Sequence, residues 1–388
     1  MKRIVIVGAS LAGVTAADAL RMQGHEGPIT LLGEEPHAPY ARPPLSKAVL
    51  AGREPPEAVM LPPLGDDVEV RVGARVAGLR LERRAVVLDG GEQVPFDGLV
   101  VATGARARSL ARPGQRGEHL LRTLDDARAL RDRLEGRPRV VVVGAGFLGM
   151  EVASTCRTLG LDVTVVDREP PLVRLLGDAL ARLVTAAAVD NGVRIEISRA
   201  GATLVGRDEI RGVELADGRV LDADLVVSAV GDLPNVEWLS GSGLAAAGGP
   251  LVVDRRCRVA PGVVAAGDVI AMRADDGTVG RTPHWASAVE QSHVAAAALL
   301  HGEAAAPLTP SPYFWTEQFG LEIKLCGRPP AAGSRPQVTD GSLAERRAVL
   351  QWIDDGRPVA AASVNHRMPV GKLKRLAAPA PAATAAIA

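Results

Sequence analysis

Two glycine-rich segments have the residue spacing of a dinucleotide-binding turn. They read GASLAG at residues 8–13, here called the first turn, and GAGFLG at residues 144–149, the second turn. The first glycine permits a tight turn, the last lets the next helix lie close to the preceding strand, and the helix N-terminus offers backbone N–H groups to a pyrophosphate. Ser10 replaces the middle glycine of the first turn, which leaves the backbone somewhat less open. Two such turns predict two bound dinucleotides.

An acidic residue lies at the expected distance behind each turn. Glu34 follows the first turn and Asp167 the second by about 20 residues, the position at which a carboxylate binds ribose hydroxyls. A carboxylate at Asp167 repels a 2′-phosphate, although the neighbouring Arg168 could pair with one. We therefore expect NADH at the second turn, with NADPH less favoured.

The turns must be positioned by strands and helices of an α/β fold. The predicted strands are residues 4–7, 29–32, 140–143 and 163–166. A helix is predicted over residues 14–22, and another from the second turn through Leu159. Buried strands at 99–105 (LVVATGA) and 262–268 (GVVAAGD) also end in glycine turns. If both of these strands belong to the same fold as the first turn, the second turn lies in an inserted segment. A flavin domain would then be split around a nicotinamide domain.

Composition limits the other classes of function. Lysine plus arginine and aspartate plus glutamate both total 45, so the net charge is zero, which argues against a nucleic-acid-coating protein. The 3 cysteines are too few and too scattered for a disulfide scaffold or a metal site, and the absence of CxxC removes dithiol redox chemistry. We expect no membrane span, no signal peptide and a cytoplasmic protein.

Further motifs give the chain a resemblance to a known family. They include PYARPPLSK at 39–47, VATGAR at 101–106, AVGDLPN at 229–235, AAGDV at 265–269 and FWTEQ at 314–318. In this order they resemble the FAD-dependent ferredoxin reductases of bacterial oxygenase systems, the family of putidaredoxin reductase and biphenyl dioxygenase ferredoxin reductase within the pyridine nucleotide-disulfide oxidoreductases. Apoptosis-inducing factor is more distantly similar. The short C-terminal region departs most from the pattern, which puts partner recognition in doubt.

The resemblance implies the residues that hold each cofactor. For FAD they are Gly8, Ser10, Leu11, Ala12, Gly13, Glu34, Arg42, Lys47, Val76, Ala102, Thr103, Gly104, Arg122, Gly267, Asp268, Trp285 and Trp315. For NADH they are Gly144, Gly146, Phe147, Leu148, Gly149, Glu151, Asp167 and Gly231. No metal is implied.

Lys47 and Glu151 are the residues to which the resemblance assigns a catalytic role. It implies that Lys47 lies beside the flavin and pairs with Glu151. A cation there would stabilise the negative charge that builds on the flavin when hydride arrives. Without the motif, Lys47 could be a solvated loop lysine, and an acid at Glu151 would be favourable at a helix start for dipole reasons alone. Arg122 could equally be a surface residue, and the tryptophans core residues.

The predicted fold is α/β, with two Rossmann-like three-layer dinucleotide-binding domains and a small C-terminal α/β domain. The FAD-binding domain is predicted at residues 1–110 and 235–307, the NAD(H)-binding domain at 111–234, and the C-terminal reductase domain at 308–388. The implied reaction takes hydride from NADH and passes single electrons to a 2Fe-2S ferredoxin that serves a cytochrome monooxygenase or a ring-hydroxylating dioxygenase. Alternatives are an NADH oxidase, a rubredoxin reductase, or a redox-sensing interaction protein like apoptosis-inducing factor.

Overall fold

The computed structural model describes residues 2–245, 248–329 and 333–378. The chain divides into two compact units, and each combines segments that are distant in sequence. The first unit contains residues 1–43, 55–107 and 232–310, and the second contains residues 44–54, 108–231 and 311–388.

The first unit is built on a mostly parallel sheet. Its strands, in spatial order, are β19 (Arg258–Ala260), β20 (Val263–Ala265), β7 (Gly98–Val101), β1 (Ile4–Val7), β2 (Ile29–Leu32) and β3 (Val68–Arg71). β19 pairs antiparallel to β20, and the other neighbours are parallel. The strands are short and rich in β-branched residues because both of their faces are covered.

Alternate residues of β1 enter different cores. Ile4 and Ile6 pack into a cluster with the helices α1 (Leu11–Met22) and α5 (Trp285–His301). Val5 and Val7 face a second cluster that contains Phe96 and the antiparallel strands of a smaller sheet. This alternation produces three layers, with β1 at the centre and the first turn at its carboxyl end.

Smaller sheets complete the first unit. Their strands are β4 (Val76–Arg80), β5 (Ala85–Leu88) and β6 (Gln93–Pro95); β8 (Ala105–Ala107) and β17 (Asp232–Pro234); and β18 (Leu251–Val253), β21 (Ile270–Arg273) and β22 (Val279–Gly280). The β8–β17 pair joins the chain before residue 108 to the chain after residue 231.

The second unit repeats the parallel arrangement. Its strands, in spatial order, are β12 (Arg194–Ile197), β11 (Val163–Asp167), β10 (Val140–Val143), β16 (Leu225–Ser228) and β9 (Glu118–His119). Its helices are α2 (Leu124–Leu134), α3 (Phe147–Thr158) and α4 (Val173–Asp190). A hairpin sheet of β13 (Ala202–Val205), β14 (Gly212–Leu215) and β15 (Val220–Asp222) packs with Val141 and Val143 of β10.

The C-terminal part of the second unit is an antiparallel sheet. Its strands, in spatial order, are β23 (Tyr313–Gln318), β24 (Leu321–Gly327), β27 (Arg357–Val364), β26 (Arg347–Asp354) and β25 (Gln337–Ser342). The helix α6 (Val370–Ala377) packs Leu373 against Cys326 and Val349 of this sheet.

The predicted fold class is confirmed, but some boundaries were wrong. α1 begins at Leu11 rather than Val14, because Ser10 is its N-cap and the first turn itself supplies the opening helical residues. The strand in the 99–105 segment ends at Val101, before the Thr-Gly turn predicted there. No helix in the described ranges has the length and apolar character needed to cross a bilayer.

Candidate functional site

The first turn brings backbone unusually close to backbone. Gly8 has φ +117°, and a Cβ there would lie 2.1 Å from the carbonyl oxygen of Ala102. A Cβ on Gly13 would lie 1.9 Å from the carbonyl oxygen of Gly8. Within the described chain no side chain caps the start of α1 and its first turn holds no acid. The N–H groups of Leu11, Ala12 and Gly13 therefore point outward at the positive end of the helix dipole.

The strands next to β1 end beside this turn, since the carboxyl ends of parallel strands share one sheet edge. The Thr103 hydroxyl donates to the Asn235 carbonyl at 2.7 Å, and Asn235 Nδ2 donates to the Thr103 carbonyl at 3.0 Å. These two bonds hold the Ala102-Thr103-Gly104 segment against Asn235, the last residue of the AVGDLPN motif. The Thr103 side chain is thus engaged with protein, so a cofactor would meet this segment through its backbone.

The Gly267-Asp268 turn is held by two residues that were not predicted as site residues. Gly267 N–H donates to Gln291 Oε1 at 2.8 Å, and Arg281 Nη2 donates to the Asp268 carbonyl at 2.6 Å. Arg281 is in turn paired with Asp232 at 2.6 Å. These bonds fix the backbone of the turn and thereby position the Asp268 carboxylate for a polar ligand.

Arg42 lies in a polar cluster that includes another residue not predicted from the sequence, Glu35. Arg42 Nη2 lies 2.6 Å from Glu35 Oε1, and the Tyr40 hydroxyl donates to the other Glu35 oxygen. Burial alone would lower the pKa of the Arg42 guanidinium, but electrostatic attraction to Tyr40, Glu35 and Asp268 and the hydrogen bond to Glu35 outweigh it, and the pKa is raised. Arg42 is therefore a fixed cation close to Asp268.

The remaining residues predicted for the first dinucleotide in this unit are less constrained. Glu34 is 68% exposed and forms an ion pair of 3.1 Å with Arg75. Val76 opens β4 and is half-buried, and Trp285 is the first residue of α5 and also half-buried.

The second turn has the same backbone geometry as the first. Gly144 has φ +109°, and a Cβ there would lie 2.3 Å from the carbonyl oxygen of Ala229. A Cβ on Gly149 would lie 1.9 Å from the carbonyl oxygen of Gly144. Gly146 is the N-cap of α3, and among the described residues no side chain caps this helix start. Leu148 is half-buried behind the turn.

Asp167 reaches back into the second turn. Its Oδ2 accepts from Ala145 N–H at 2.5 Å, and its Oδ1 accepts from Arg168 N–H at 2.5 Å. The Arg168 side chain is exposed. The acid is therefore oriented at the sheet edge before any ligand arrives.

Aromatic residues lie on both faces of β23. The Phe147 ring stacks on Phe314 with centroids 6.4 Å apart, and Trp315 stacks on Tyr313 at 6.0 Å. Trp315 is half-buried, on the face of β23 opposite to Phe314.

Lys47 and Glu151 form an ion pair within the second unit. Lys47 Nζ lies 2.6 Å from Glu151 Oε2, with the lysine side chain 16% and the glutamate 8% exposed. The same carboxylate accepts from the Ser46 hydroxyl at 2.6 Å and from the Thr316 hydroxyl at 2.8 Å. Neither hydroxyl was predicted from the sequence, although Ser46 lies in the PYARPPLSK motif and Thr316 in the FWTEQ motif.

Two predicted cofactor residues have backbone roles. Arg122 N–H donates to Asp126 Oδ2 at 2.9 Å, just before the capping box that opens α2 at Thr123. Gly231 has φ +100°, and its carbonyl accepts from Arg108 N–H at 3.0 Å.

The thiols are free and buried. Burial raises the pKa of Cys156 to about 12, and burial with the charge of Asp254 raises that of Cys257 to about 12. Burial raises the pKa of Cys326 to about 11. Across the described ranges, no group of His, Cys, Asp or Glu side chains could hold a metal ion.

The residues of both turns fit a dinucleotide. Each turn offers uncapped helix N–H groups and a backbone surface from which glycine excludes a Cβ, which is what a pyrophosphate requires. Two nucleotide folds of this kind in one chain define an oxidoreductase that uses two dinucleotide cofactors.

The chain belongs to the pyridine nucleotide-disulphide oxidoreductase family, whose model matches residues 2–296. A Reductase C-terminal model matches residues 313–388. The resemblance noted from the sequence motifs is therefore confirmed.

Individual relatives narrow the comparison. The chain is 37% identical over 368 residues to the biphenyl dioxygenase system ferredoxin–NAD(+) reductase component of Paraburkholderia xenovorans, covering 93% of this chain and 90% of that one. It is 35% identical to rhodocoxin reductase of Rhodococcus erythropolis, covering 88% and 81%. Among solved structures it is similar to a ferredoxin reductase from Rhodopseudomonas palustris (TM-score 0.86, 33% identity, 94% and 92% covered). It is also similar to the covalent putidaredoxin reductase–putidaredoxin complex (TM-score 0.83, 30% identity, 96% and 91% covered).

Proposed function

We propose that this protein is an FAD-dependent ferredoxin reductase that oxidises NADH and passes single electrons to an iron–sulfur ferredoxin. The observation that carries the proposal is the pair of glycine turns, each at the edge of its own parallel sheet. The buried thiols argue against an oxidase or peroxidase that uses a reactive cysteine, because a neutral thiol is a poor nucleophile. The relatives that are ferredoxin–NAD(+) reductase components support the same acceptor class.

The first unit's turn would hold FAD and the second unit's turn would hold NADH. Gly8 and Gly13 open the backbone to the FAD pyrophosphate, and the Asp268 carboxylate would accept from the ribityl hydroxyls. Gly144 and Gly149 open the backbone in the same way for NADH. FAD supplies hydride acceptance and one-electron release when it is bound.

Lys47 and Glu151 are the residues that we assign to charge control. An ammonium group in contact with a flavin stabilises the negative charge of the reduced ring, and a fixed cation does so without reorganisation. Glu151 holds Lys47 Nζ at 2.6 Å, so the ammonium is oriented before reaction. Neither residue has to move a proton to perform this role.

We also propose the domain division predicted from the sequence, with a flavin domain split around a nicotinamide domain and a C-terminal domain from residue 308. The Reductase C-terminal match over residues 313–388 supports the last of these. Because NADH is a cytoplasmic coenzyme, we propose that the reductase works in the cytoplasm, where its electrons would reach an oxygenase through the ferredoxin.

Stopped-flow spectroscopy tests the proposal. Mixing the purified protein with NADH should bleach the flavin band rapidly, and adding an oxidised 2Fe-2S ferredoxin should restore it as the ferredoxin is reduced. The Lys47→Ala variant should retain FAD more weakly or reduce it about tenfold more slowly, a loss of about 1.4 kcal/mol of transition-state stabilisation. Bleaching with no transfer to any ferredoxin would favour an oxidase or sensor, and a protein that binds no flavin would overturn the proposal.

A further inference from the structure

The Glu151 carboxylate is held from both of its oxygens. Ser46 and Lys47 donate to Oε2, each at 2.6 Å, and Thr316 donates to Oε1 at 2.8 Å. Glu151 is 6% exposed, so water contributes little to its solvation. A buried carboxylate stays ionised only when such donors replace the lost water.

The direction of the Thr316 bond is set by a further residue, Gln318. Thr316 and Gln318 are two positions apart on β23 and so share a face of the strand. Gln318 Nε2 donates to Thr316 Oγ1 at 2.8 Å. A hydroxyl has a single proton, and with its oxygen accepting from Gln318 that proton is directed at Glu151.

The reverse orientation of the Gln318 amide would turn the Thr316 hydroxyl away from Glu151. Gln318 Oε1 would then accept the Thr316 proton, and Glu151 Oε1 would lose its donor. In the orientation observed, Gln318 Oε1 is a buried acceptor with no hydrogen-bond partner in the described structure. An orphaned acceptor is costly, and in this orientation the cost is set against the hydrogen bond that the Thr316 hydroxyl donates to the Glu151 carboxylate.

We propose that Thr316, oriented by Gln318, is a positioning residue that holds the Glu151 carboxylate in place and thereby fixes the Lys47 ammonium for flavin reduction. This inference rests on the proposed function, because it assumes that the Lys47–Glu151 pair acts on the flavin. Thr316 acts through Glu151 and not by touching a cofactor.

The charged group in contact with Glu151 is the Lys47 ammonium. Other titratable groups on the elements packed against Glu151 are Cys156 and Arg157 of α3, Asp167 of β11, and Tyr313 and Glu317 of β23. Cys156 is a neutral buried thiol, Arg157 donates to the Asn191 carbonyl and Asp167 accepts from Ala145. Tyr313 and Glu317 lie on the strand face opposite to Thr316, where burial raises the pKa of Tyr313.

The Thr316→Val variant tests the proposal because it keeps the side-chain shape and removes the hydroxyl. The limiting rate of flavin reduction by NADH should fall about tenfold, while the Kd for NADH should stay within about twofold of the native value. Thr316→Ser should restore the native rate. Gln318→Met, which leaves the hydroxyl but not its orientation, should give a smaller loss of rate.

A measurement without turnover gives a second readout. In the oxidised holoenzyme labelled with carbon-13 at glutamate carboxyls, the chemical shift of the Glu151 signal at neutral pH should change in Thr316→Val. Thr155→Val is the matched control, since it removes a buried hydroxyl that donates to the Ser46 carbonyl at 2.7 Å and not to the Glu151 carboxylate. Its reduction rate and its Glu151 signal should stay native.

The outcomes separate this inference from the proposed function. A native protein whose flavin is not reduced by NADH would contradict the proposed function itself. A native protein that works, with Thr316→Val showing an unchanged reduction rate and an unchanged Glu151 carbon-13 signal, would overturn the positioning role alone. A loss of rate of equal size in Thr155→Val would also overturn it, because the effect would then be general loosening.

Discussion

The first and second turns share a backbone but differ in how the following acid is placed. In both, a Cβ at the leading glycine would meet a carbonyl oxygen at 2.1 or 2.3 Å, and one at the closing glycine would meet a carbonyl at 1.9 Å. The strand registers align Val7 with Leu32 in the first fold and Val143 with Val166 in the second. By that register Asp167 corresponds to Gly33, and Glu34 corresponds to Arg168.

This offset gives the two acids different surroundings. Asp167 bonds to Ala145 N–H inside the turn, whereas Gly33 passes so close to Ala9 that a Cβ there would lie 2.6 Å from the Ala9 side chain. Glu34, one residue later, is exposed and pairs with Arg75. The glycines therefore give both turns the same backbone, while the acid that we propose for each ribose depends on a single position of strand register.

Substituting the leading glycine of either turn should have the largest effect. Gly8→Ala and Gly144→Ala each place a Cβ against a carbonyl at positive φ, so each should lower the free energy of unfolding by at least about 2 kcal/mol. Gly8→Ala should lose flavin, and Gly144→Ala should keep flavin but lose its reduction by NADH. Urea unfolding and flavin absorbance measure these effects.

Matched controls separate the close contact from backbone strain. Gly24 (φ +87°) and Gly218 (φ +85°) have positive φ, but a Cβ at either position would have nothing within 4 Å. Gly24→Ala and Gly218→Ala should cost only about 1 kcal/mol and leave both cofactors in place. Equal losses in all of these variants would show that strain, not close approach, dominates the turns.

The offset between the acids should give the next largest effect. Asp167→Asn weakens both the bond to Ala145 and any bond to a ribose, so the KM for NADH should rise about tenfold. Arg168→Gln should change that KM by less than about threefold and lower any residual use of NADPH. Steady-state kinetics with NADH and with NADPH measures the effects of both substitutions. If the KM for NADH rises more in Arg168→Gln than in Asp167→Asn, the ribose is bound by residue 168, the position aligned with Glu34.

The buried thiols should give the smallest effect, and the same one in both units. Because burial raises the pKa of Cys156 and Cys257 to about 12, neither should be alkylated in the native protein at neutral pH. The folded pKa lies above the unfolded value of about 8.5, so the stability that each thiol contributes is present below that pH and is lost as pH rises towards 12.

Alkaline unfolding measures this contribution. In Cys156→Ala the fall in the free energy of unfolding above about pH 9 should be shallower by up to about 1.4 kcal/mol per pH unit. Rapid alkylation of the folded protein at neutral pH would contradict the prediction and would reopen thiol chemistry.

The local parts of the site could be predicted from the sequence because local spacing determines them. A tight turn between a buried strand and a helix needs glycine at defined positions, so both turns and the strands leading into them could be located. Counting residues could not detect the offset between Glu34 and Asp167, since only strand register distinguishes them. Glu35 and Arg281 were missed because a charged residue in a loop carries no signal until its partner is known.

The sequence by itself determined that two dinucleotide folds are present, since each turn's chemistry is complete within a few dozen residues. The family resemblance implied the pairing of Lys47 with Glu151, but only the tertiary structure showed which hydroxyls join it. Lys47 and Thr316 are 104 and 165 residues away from Glu151 along the chain, and both contact the same carboxylate. Such contacts follow from how distant segments pack, and the free energy of burying a charge selects the donors that meet it.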